Sequence, residues 1–303
     1  MTERVLSLKK AVSYLRMYKG KIFVIKVGGE VIGEPKLLDG FAEQIGMFHE
    51  LSIQTVIVHG GGPQATELAR QLGIPVQIVG GRRVTSPETL EVAKMIFNGK
   101  LNTDVLAALR KHKVPGVGLS GVDGGLINAV RRPTARVVDE ENGAIREVDF
   151  GLVGDVVSVD PAVIHHLLDG LFVPVVSALA GGSQGEVYNV NADTIAAQLA
   201  CALKAEKLIV LTNVDGVLAD ENDPGSLISS LDYRRLEEML SSGAKGGMKA
   251  KLEACRLALK GGVARTHIIS GMRPDSLLIE IFTNEGCGTL IEAAMPKMDE
   301  ASK

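Results

Sequence analysis

The stretch Ile22-Phe23-Val24-Ile25-Lys26-Val27-Gly28-Gly29-Glu30 decides how the rest of the chain is read. Five of its first six residues are apolar, mostly β-branched or aromatic, the composition of a strand buried on both faces of a sheet. A lysine inside such a run is costly to bury unless an anion meets it. Lys26 lies near the strand end, and Gly28 and Gly29 follow, able to bring backbone close to a ligand and turn amide N–H groups toward it. A strand end, a cation and bare amides together describe a phosphate site. A structural turn with a snorkelling lysine accounts for this stretch, taken alone, equally well.

A second stretch separates the two readings. Thr55-Val56-Ile57-Val58-His59-Gly60-Gly61-Gly62-Pro63 is again an apolar strand running into glycines, followed by the helix-like Gln64-Ala65-Thr66-Glu67-Leu68-Ala69. Glycines ahead of a helix start make an anion nest at the positive end of the helix dipole. Lys-x-Gly-Gly on one strand and His-Gly-Gly-Gly on another resemble the amino-acid kinase family, which sets such turns around the transferring phosphoryl group and its acceptor. The resemblance implies that Gly28 and Gly29 serve the nucleotide and Gly61 and Gly62 the acceptor. His59 has no carboxylate or cysteine at ligand spacing and reads as a structural histidine.

Composition bounds the alternatives. The 303 residues are 46% hydrophobic and 23% charged, enough core-forming material for one large or two medium domains. A net charge of −3 argues against nucleic acid or an acidic membrane surface as the main partner. Cys201, Cys255 and Cys287 are odd in number and unclustered, as expected of buried free thiols in a reducing compartment. With no membrane-length apolar segment and no signal-peptide core, the expectation is a soluble cytoplasmic protein.

Along the chain, Leu8, Ala11, Val12 and Leu15 predict a short amphipathic helix that ends near Tyr18-Lys19-Gly20. Leu37, Leu38, Phe41, Ile45 and Phe48 predict a helix between the first two strands, and this β-α-β order implies a parallel pair. Ser86-Pro87-Glu88 opens a helix that runs to Leu109 with a break near Asn98-Gly99. Strands are expected at Val114–Leu119 and Leu171–Ser177, with hairpins between Leu126 and Val159, one turning at Glu141-Asn142-Gly143. A boundary near Ala178 to Gly182 divides residues 21–180 from 181–303, with residues 1–20 as a separate N-terminal helix. The second part reads as helix Asn191–Leu203, strand Lys207–Leu211, helices Tyr233–Leu240 and Met248–Leu259, and strand Arg265–Ile269. The polar tail after Ala294 is expected to fray.

Several motifs carry chemistry. Gly116-Val117-Gly118-Leu119-Ser120-Gly121 spells Gly-x-Gly-x-x-Gly, but the loop-like Val122-Asp123-Gly124-Gly125 follows where a dinucleotide fingerprint needs a helix. Asn189-Val190-Asn191-Ala192-Asp193 caps a helix start, and capping explains part of it. It also resembles the segment that acetylglutamate kinases, a branch of the same family, carry between their substrates. By that resemblance Asn189 contacts the acyl amino acid and Asp193 orients two lysines. Gly246-Gly247-Met248-Lys249-Ala250-Lys251 resembles the family's nucleotide-side motif, with Gly247 and Met248 beside ATP and Lys251 as its phosphate-binding lysine. Lys249 stands where an apolar residue is usual. Thr212, Asn213, Val214 and Asp215 match the turn beside adenine and ribose. Arg83, directly before Val84-Thr85, matches the arginine that holds the substrate α-carboxylate, and a forked guanidinium suits that task.

The resemblance covers Phe23 to Ile291 and implies a three-layer α/β/α sandwich around a mostly parallel sheet. It implies transfer of the γ-phosphoryl of ATP, carried with Mg²⁺, to the side-chain carboxylate of N-acetyl-L-glutamate in arginine biosynthesis. Lys26, Lys251 and Asp193 would be catalytic. A carboxylate acceptor is already ionised at neutral pH, so no general base is needed. A kinase acting on carrier-protein-linked aminoadipate or glutamate shares nearly all these motifs, and a silent amino-acid sensor is the non-enzymatic alternative. Tyr14, His267, Gly271, Glu280 and Gly286 match the pattern of arginine-inhibited members, implying L-arginine as inhibitor and a homohexamer built as a trimer of dimers. Ser270 and Cys287 depart from that pattern.

Overall fold

The computed structural model describes residues 13–14, 16–80, 82–138, 145–220, 222–244 and 246–293. Of the expected features, Leu8, Ala11, Val12 and Leu15, the Glu141-Asn142-Gly143 turn and the C-terminal tail lie outside the described residues. Ser13, Tyr14 and residues 16–18 are helical.

Strand β1 (Ile22–Val27) is buried from Phe23 onward, and the short helix α1 (Gly29–Gly33) starts directly after it. Helix α2 (Pro35–Glu50) crosses to β2 (Gln54–His59), which lies parallel to β1 as the β-α-β pattern requires. Pro35 occupies the first turn of α2, and its apolar positions Leu38, Phe41, Ile45 and Phe48 are all buried. Helix α3 (Gly62–Gln71) follows the triple glycine, and the hairpin β3 (Gln77–Val79) with β4 (Arg82–Val84) comes next.

Ser86 caps α4 (Pro87–Lys94), its hydroxyl accepting from Thr89 N–H. The predicted break near Asn98-Gly99 is absent. Met95–Leu101 is instead wound as a π-helix that joins α4 to α5 (Asn102–Lys111) without interruption. Packing overrides the weak helix propensity of Asn and Gly there. Ser177 Oγ donates to Asn98 Oδ1, while Phe97 and Leu101 are buried against Gly61.

The Gly-x-Gly-x-x-Gly run is itself strand β5 (Gly116–Gly121). Its glycines admit α5: a Cβ at Gly116 would lie 2.8 Å from Leu106, and one at Gly118 would lie 2.3 Å from Asn102 Oδ1. The expected hairpins are nested, with β7 (Ala135–Val138) on β8 (Ile145–Val148) enclosed by β6 (Ile127–Arg131) on β9 (Gly154–Val159). After α6 (Ala162–Asp169), strand β10 (Val173–Gly181) runs on past Ser177 and turns back as β11 (Val187–Asn189), a strand the sequence did not reveal. Then come α7 (Ala192–Ala202), β12 (Lys207–Thr212), β13 (Ser230–Asp232), α8 (Tyr233–Ser241), α9 (Gly246–Lys260), β14 (Arg265–Ser270), α10 (Ser276–Phe282) and β15 (Thr289–Glu292).

One 11-stranded sheet has the order β13-β15-β14-β12-β1-β2-β10-β6-β9, with β5 and β11 also paired to β10. Its centre, from β14 through β12, β1 and β2 to β10, is parallel. Helices cover it in a three-layer α/β/α sandwich, as expected. Tyr14, Tyr18, Phe23, Phe48 and Phe282 form a closed ring of aromatic contacts, with centroids 5.2 to 6.4 Å apart. Each such pair adds about 0.5–1.5 kcal/mol beyond its area, and together they fasten the described end of the N-terminal helix to β1, α2 and α10. Among the described residues no helix is long and apolar enough to cross a membrane.

Candidate active site

Parallel strands leave their carboxyl ends on one edge, where ligands collect in open α/β sheets. A cleft of about 520 Å³ opens there, and Lys26, Gly28, Gly29, Gly61, Gly62, Arg83, Asn189, Asp193 and Lys251 all line it. The structure thus brings together every residue expected for catalysis and for the acceptor.

Lys26 stands on β1 between Val58 and Val210 of the flanking strands, so its stem is buried and only its ammonium reaches the cleft. Asp193 lies in the first turn of α7, where Asn191 caps the helix by accepting from Thr194 N–H at 3.0 Å. The helix dipole favours a carboxylate at that end. Lys26 Nζ comes within 3.0 Å of Asp193 Oδ1, with the side chains 10% and 7% exposed. No aligned hydrogen bond reaches that oxygen, so the contact is an ion pair. Lys251, in the first turns of α9, donates to Gly247 O at 3.3 Å. Burial pushes its pKa down; Asp193 opposes that shift and Lys26 reinforces it. Lys26 holds the ion pair with Asp193 while Lys251 feels that carboxylate only at longer range, so the two ammonium groups outnumber the carboxylate beside them and favour an anion in the cleft.

On the other side, Arg83 Nη2 donates to Gly62 O at 2.8 Å and to Thr66 Oγ1, while Nη1 is buried without a partner. Burial also lowers the pKa of this guanidinium. One edge of the fork is fixed by α3 and the other is unsatisfied, an arrangement preset for a carboxylate. Asn189 Nδ2 donates to Thr85 Oγ1 at 3.1 Å, holding the amide at the cleft wall. A Cβ at Gly61 would fall 2.2 Å from Leu101 Cδ1 and 3.0 Å from Phe97, so only glycine lets this turn sit on the π-helix. His59 behaves as a structural histidine: burial drives its pKa down to about 4, and Nδ1 donates to Gly60 O at 3.1 Å.

A second cleft, also about 520 Å³, is lined by Thr212, Asn213, Val214, Gly247 and Met248, and Lys251 lines both. Asp215 is exposed in the turn outside that lining. Sequence reasoning missed Phe97 and Arg132 in the first cleft. Arg132 pairs with Asp155 at 2.6 Å and lies 5.9 Å from the Phe150 ring centre. No local pattern distinguishes it from Arg131; only the register of β6 against β9 does.

The residues expected to meet arginine divide. His267 Nδ1 and Glu280 Oε1 are 2.7 Å apart and buried, and Cys287 N–H and Gly288 N–H donate to Glu280 Oε2. Burial acts to raise the Glu280 pKa, but these contacts outweigh it and the net shift is downward. Gly286, with φ +63°, lies against the same carboxylate. Lys207, which the sequence did not single out, places Nζ 3.0 Å from His267 Nε2, and burial pushes its pKa down to about 8. Tyr14 donates to Asn284 Oδ1 beyond the end of α10. Gly271 lies past the far end of β14, in a separate cavity of about 290 Å³.

Residues 21–270 match the amino acid kinase family. The chain belongs to that family. Its similarity to an acetylglutamate kinase of Myxococcus xanthus is 48% identity over 286 residues, 94% of this chain and 93% of the relative. Among solved structures of the amino acid kinase fold, it resembles N-acetylglutamate synthase from Neisseria gonorrhoeae complexed with coenzyme A and N-acetyl-glutamate. That match has a TM-score of 0.81 at 28% identity and covers 95% of this chain but 63% of that one. The same synthase complexed with coenzyme A and L-arginine matches with a TM-score of 0.79 at 25% identity, covering 96% of this chain and 65% of that one.

Proposed function

We propose that this amino acid kinase transfers the γ-phosphoryl group of ATP to the side-chain carboxylate of N-acetyl-L-glutamate in arginine biosynthesis, in the cytoplasm. The observation that carries the reading is the Lys26–Asp193–Lys251 charge group between two glycine turns, one on each side of the transfer path. The acceptor oxygen forms a bond to phosphorus as the bond to the ADP oxygen breaks, and the electron pair leaves with ADP. The acceptor carboxylate is ionised, so no proton moves. The lysines neutralise charge on the transferring group, Asp193 fixes their directions, and the amides of Gly29, Gly61 and Gly62 add fixed dipoles. Mg²⁺ arrives with ATP as part of the substrate. The unsatisfied Nη1 of Arg83 takes the α-carboxylate, with Asn189 on the acyl amino acid. In this reading residues 21–180 form the acceptor lobe and residues 181–303 the ATP lobe, in which Thr212, Asn213, Val214, Gly247 and Met248 face the nucleotide and Asp215 stands at the rim of that turn. An ATP-consumption assay with N-acetylglutamate, its carrier-linked counterpart and aminoadipate tests the acceptor. Turnover of the carrier-linked form alone would overturn the assignment.

The regulatory part of the proposal is inhibition by L-arginine in a homohexamer. A carboxylate offers about four acceptor positions, and three contacts reach Glu280, leaving room for one guanidinium N–H. The arginine complex of the related synthase is consistent with a ligand of this class on the same fold.

A further inference from the structure

One side chain joins the two glycine turns. Gln64, in the first turn of α3, reaches across to the segment after β1 and donates its Nε2–H to Gly29 O at 2.7 Å. The amide lies against both ends of α1: a Cβ at Gly29 would sit 2.5 Å from Oε1, and one at Gly33 would sit 2.6 Å from Nε2. Glycine at both ends of α1 therefore makes the room that Gln64 fills. Its Oε1 is buried with no hydrogen-bond partner, a cost that simple space-filling by an apolar side chain would avoid. The same turn of α3 holds Arg83 through Gly62 O and Thr66. Acceptor turn, acceptor arginine and donor turn are all referred to one rigid helix end.

We propose that Gln64 is a positioning residue that sets the spacing between the Gly28-Gly29 turn and the Gly61-Gly62 turn, and so the distance over which the phosphoryl group passes; this rests on the kinase reading above. Each turn binds its own substrate without Gln64. Loss of the tether therefore disturbs alignment rather than binding, and a misplacement of about 1 Å can cost up to about 100-fold in rate.

The test uses the full chain with Gln64→Ala, Gly33→Ala and the double variant. The Cβ of Gly33→Ala meets only Gln64 atoms within 4 Å, so it displaces the amide from outside the cleft. Both single variants are expected to lose about 10- to 100-fold in kcat, with KM for ATP and acceptor moving less than about threefold. The double variant is expected to fall no further than Gln64→Ala, because removing the amide gives the new methyl its space. Retention of kcat within about twofold in both singles, or losses that multiply in the double, would overturn the proposal. If the parent protein does not turn over N-acetylglutamate, the acceptor assignment falls and the tether is read by hydrogen exchange instead. Amides of residues 28–33 must then exchange faster in Gln64→Ala while β2 stays protected, and unchanged exchange sinks the tether.

Discussion

Lys26 and Asp193 meet at 3.0 Å across the junction of a strand end and a helix start, with both charges almost wholly out of water. Neither element could bury its charge alone. The pair therefore ties the seating of α7 on β1 to the placement of the ammonium that faces the cleft.

Removing one partner exposes this dependence. Asp193→Asn leaves Lys26 buried without its countercharge and is expected to cost about 3–5 kcal/mol of stability, read as a lower denaturation midpoint. Lys26→Ala and Lys251→Ala are expected to reduce kcat by about 100-fold or more, as for loss of one preorganised charge donor, with smaller changes in KM. Near-normal turnover in either lysine variant would remove that residue from the mechanism.

Arg83→Lys separates acceptor from nucleotide. A lysine cannot hold Gly62 O and Thr66 while offering a second planar donor edge. The acceptor KM should rise by about tenfold or more, as for loss of a charge-assisted bidentate contact, and the ATP KM should stay near its parent value. A rise confined to ATP would put Arg83 on the nucleotide side.

His59 predicts a specific acid sensitivity. Its pKa is about 4 in the folded chain against 6.5 as the reference value. Between those values the unfolded state binds more protons, so stability rises with pH and is lost as pH falls from 6.5 toward 4. The loss approaches about 3 kcal/mol at its limit. Burial lowers the His267 pKa as well, and it adds to the slope in the same direction. Denaturant midpoints across this range should therefore change less steeply in His59→Gln by about one proton, and an unchanged slope would refute the buried neutral ring.

The regulatory proposal is tested by removing residues 1–12, which leaves Tyr14 and Tyr18 in their aromatic contacts. The truncated chain should be an active dimer by light scattering, with a rate indifferent to millimolar arginine. A full-length dimer already insensitive to arginine would end the proposal and leave the kinase reading untouched.

The charges that meet in the cleft were legible because each sits where chain chemistry forces a choice: Lys26 inside an apolar strand, Asp193 at a helix cap, Lys251 behind two glycines. The parallel core was legible for the same reason, through strands apolar on both faces. Lys207 was not legible. It opens β12 as an ordinary flanking lysine would, and only alignment with Arg265 and its neighbours on β14 brings it to His267. The π-helix was hidden because Asn98 and Gly99 locally favour a break, and the contacts that overrule them come from Ser177 and Gly61, both distant in sequence. The glycines of β5 mimicked a nucleotide motif when their role is to let a helix lie close.

The aromatic ring has an optical consequence. The chain has no tryptophan and only four tyrosines, and two of the four, Tyr14 and Tyr18, stand in that ring. Lys207 Nζ lies 5.4 Å from the Tyr18 ring centre, so the chromophores adjoin the charges around Glu280. Near-ultraviolet circular dichroism and tyrosine emission are therefore weighted toward the junction of the N-terminal helix, β1 and α10. Events at that junction can be followed by intrinsic light, with no label attached.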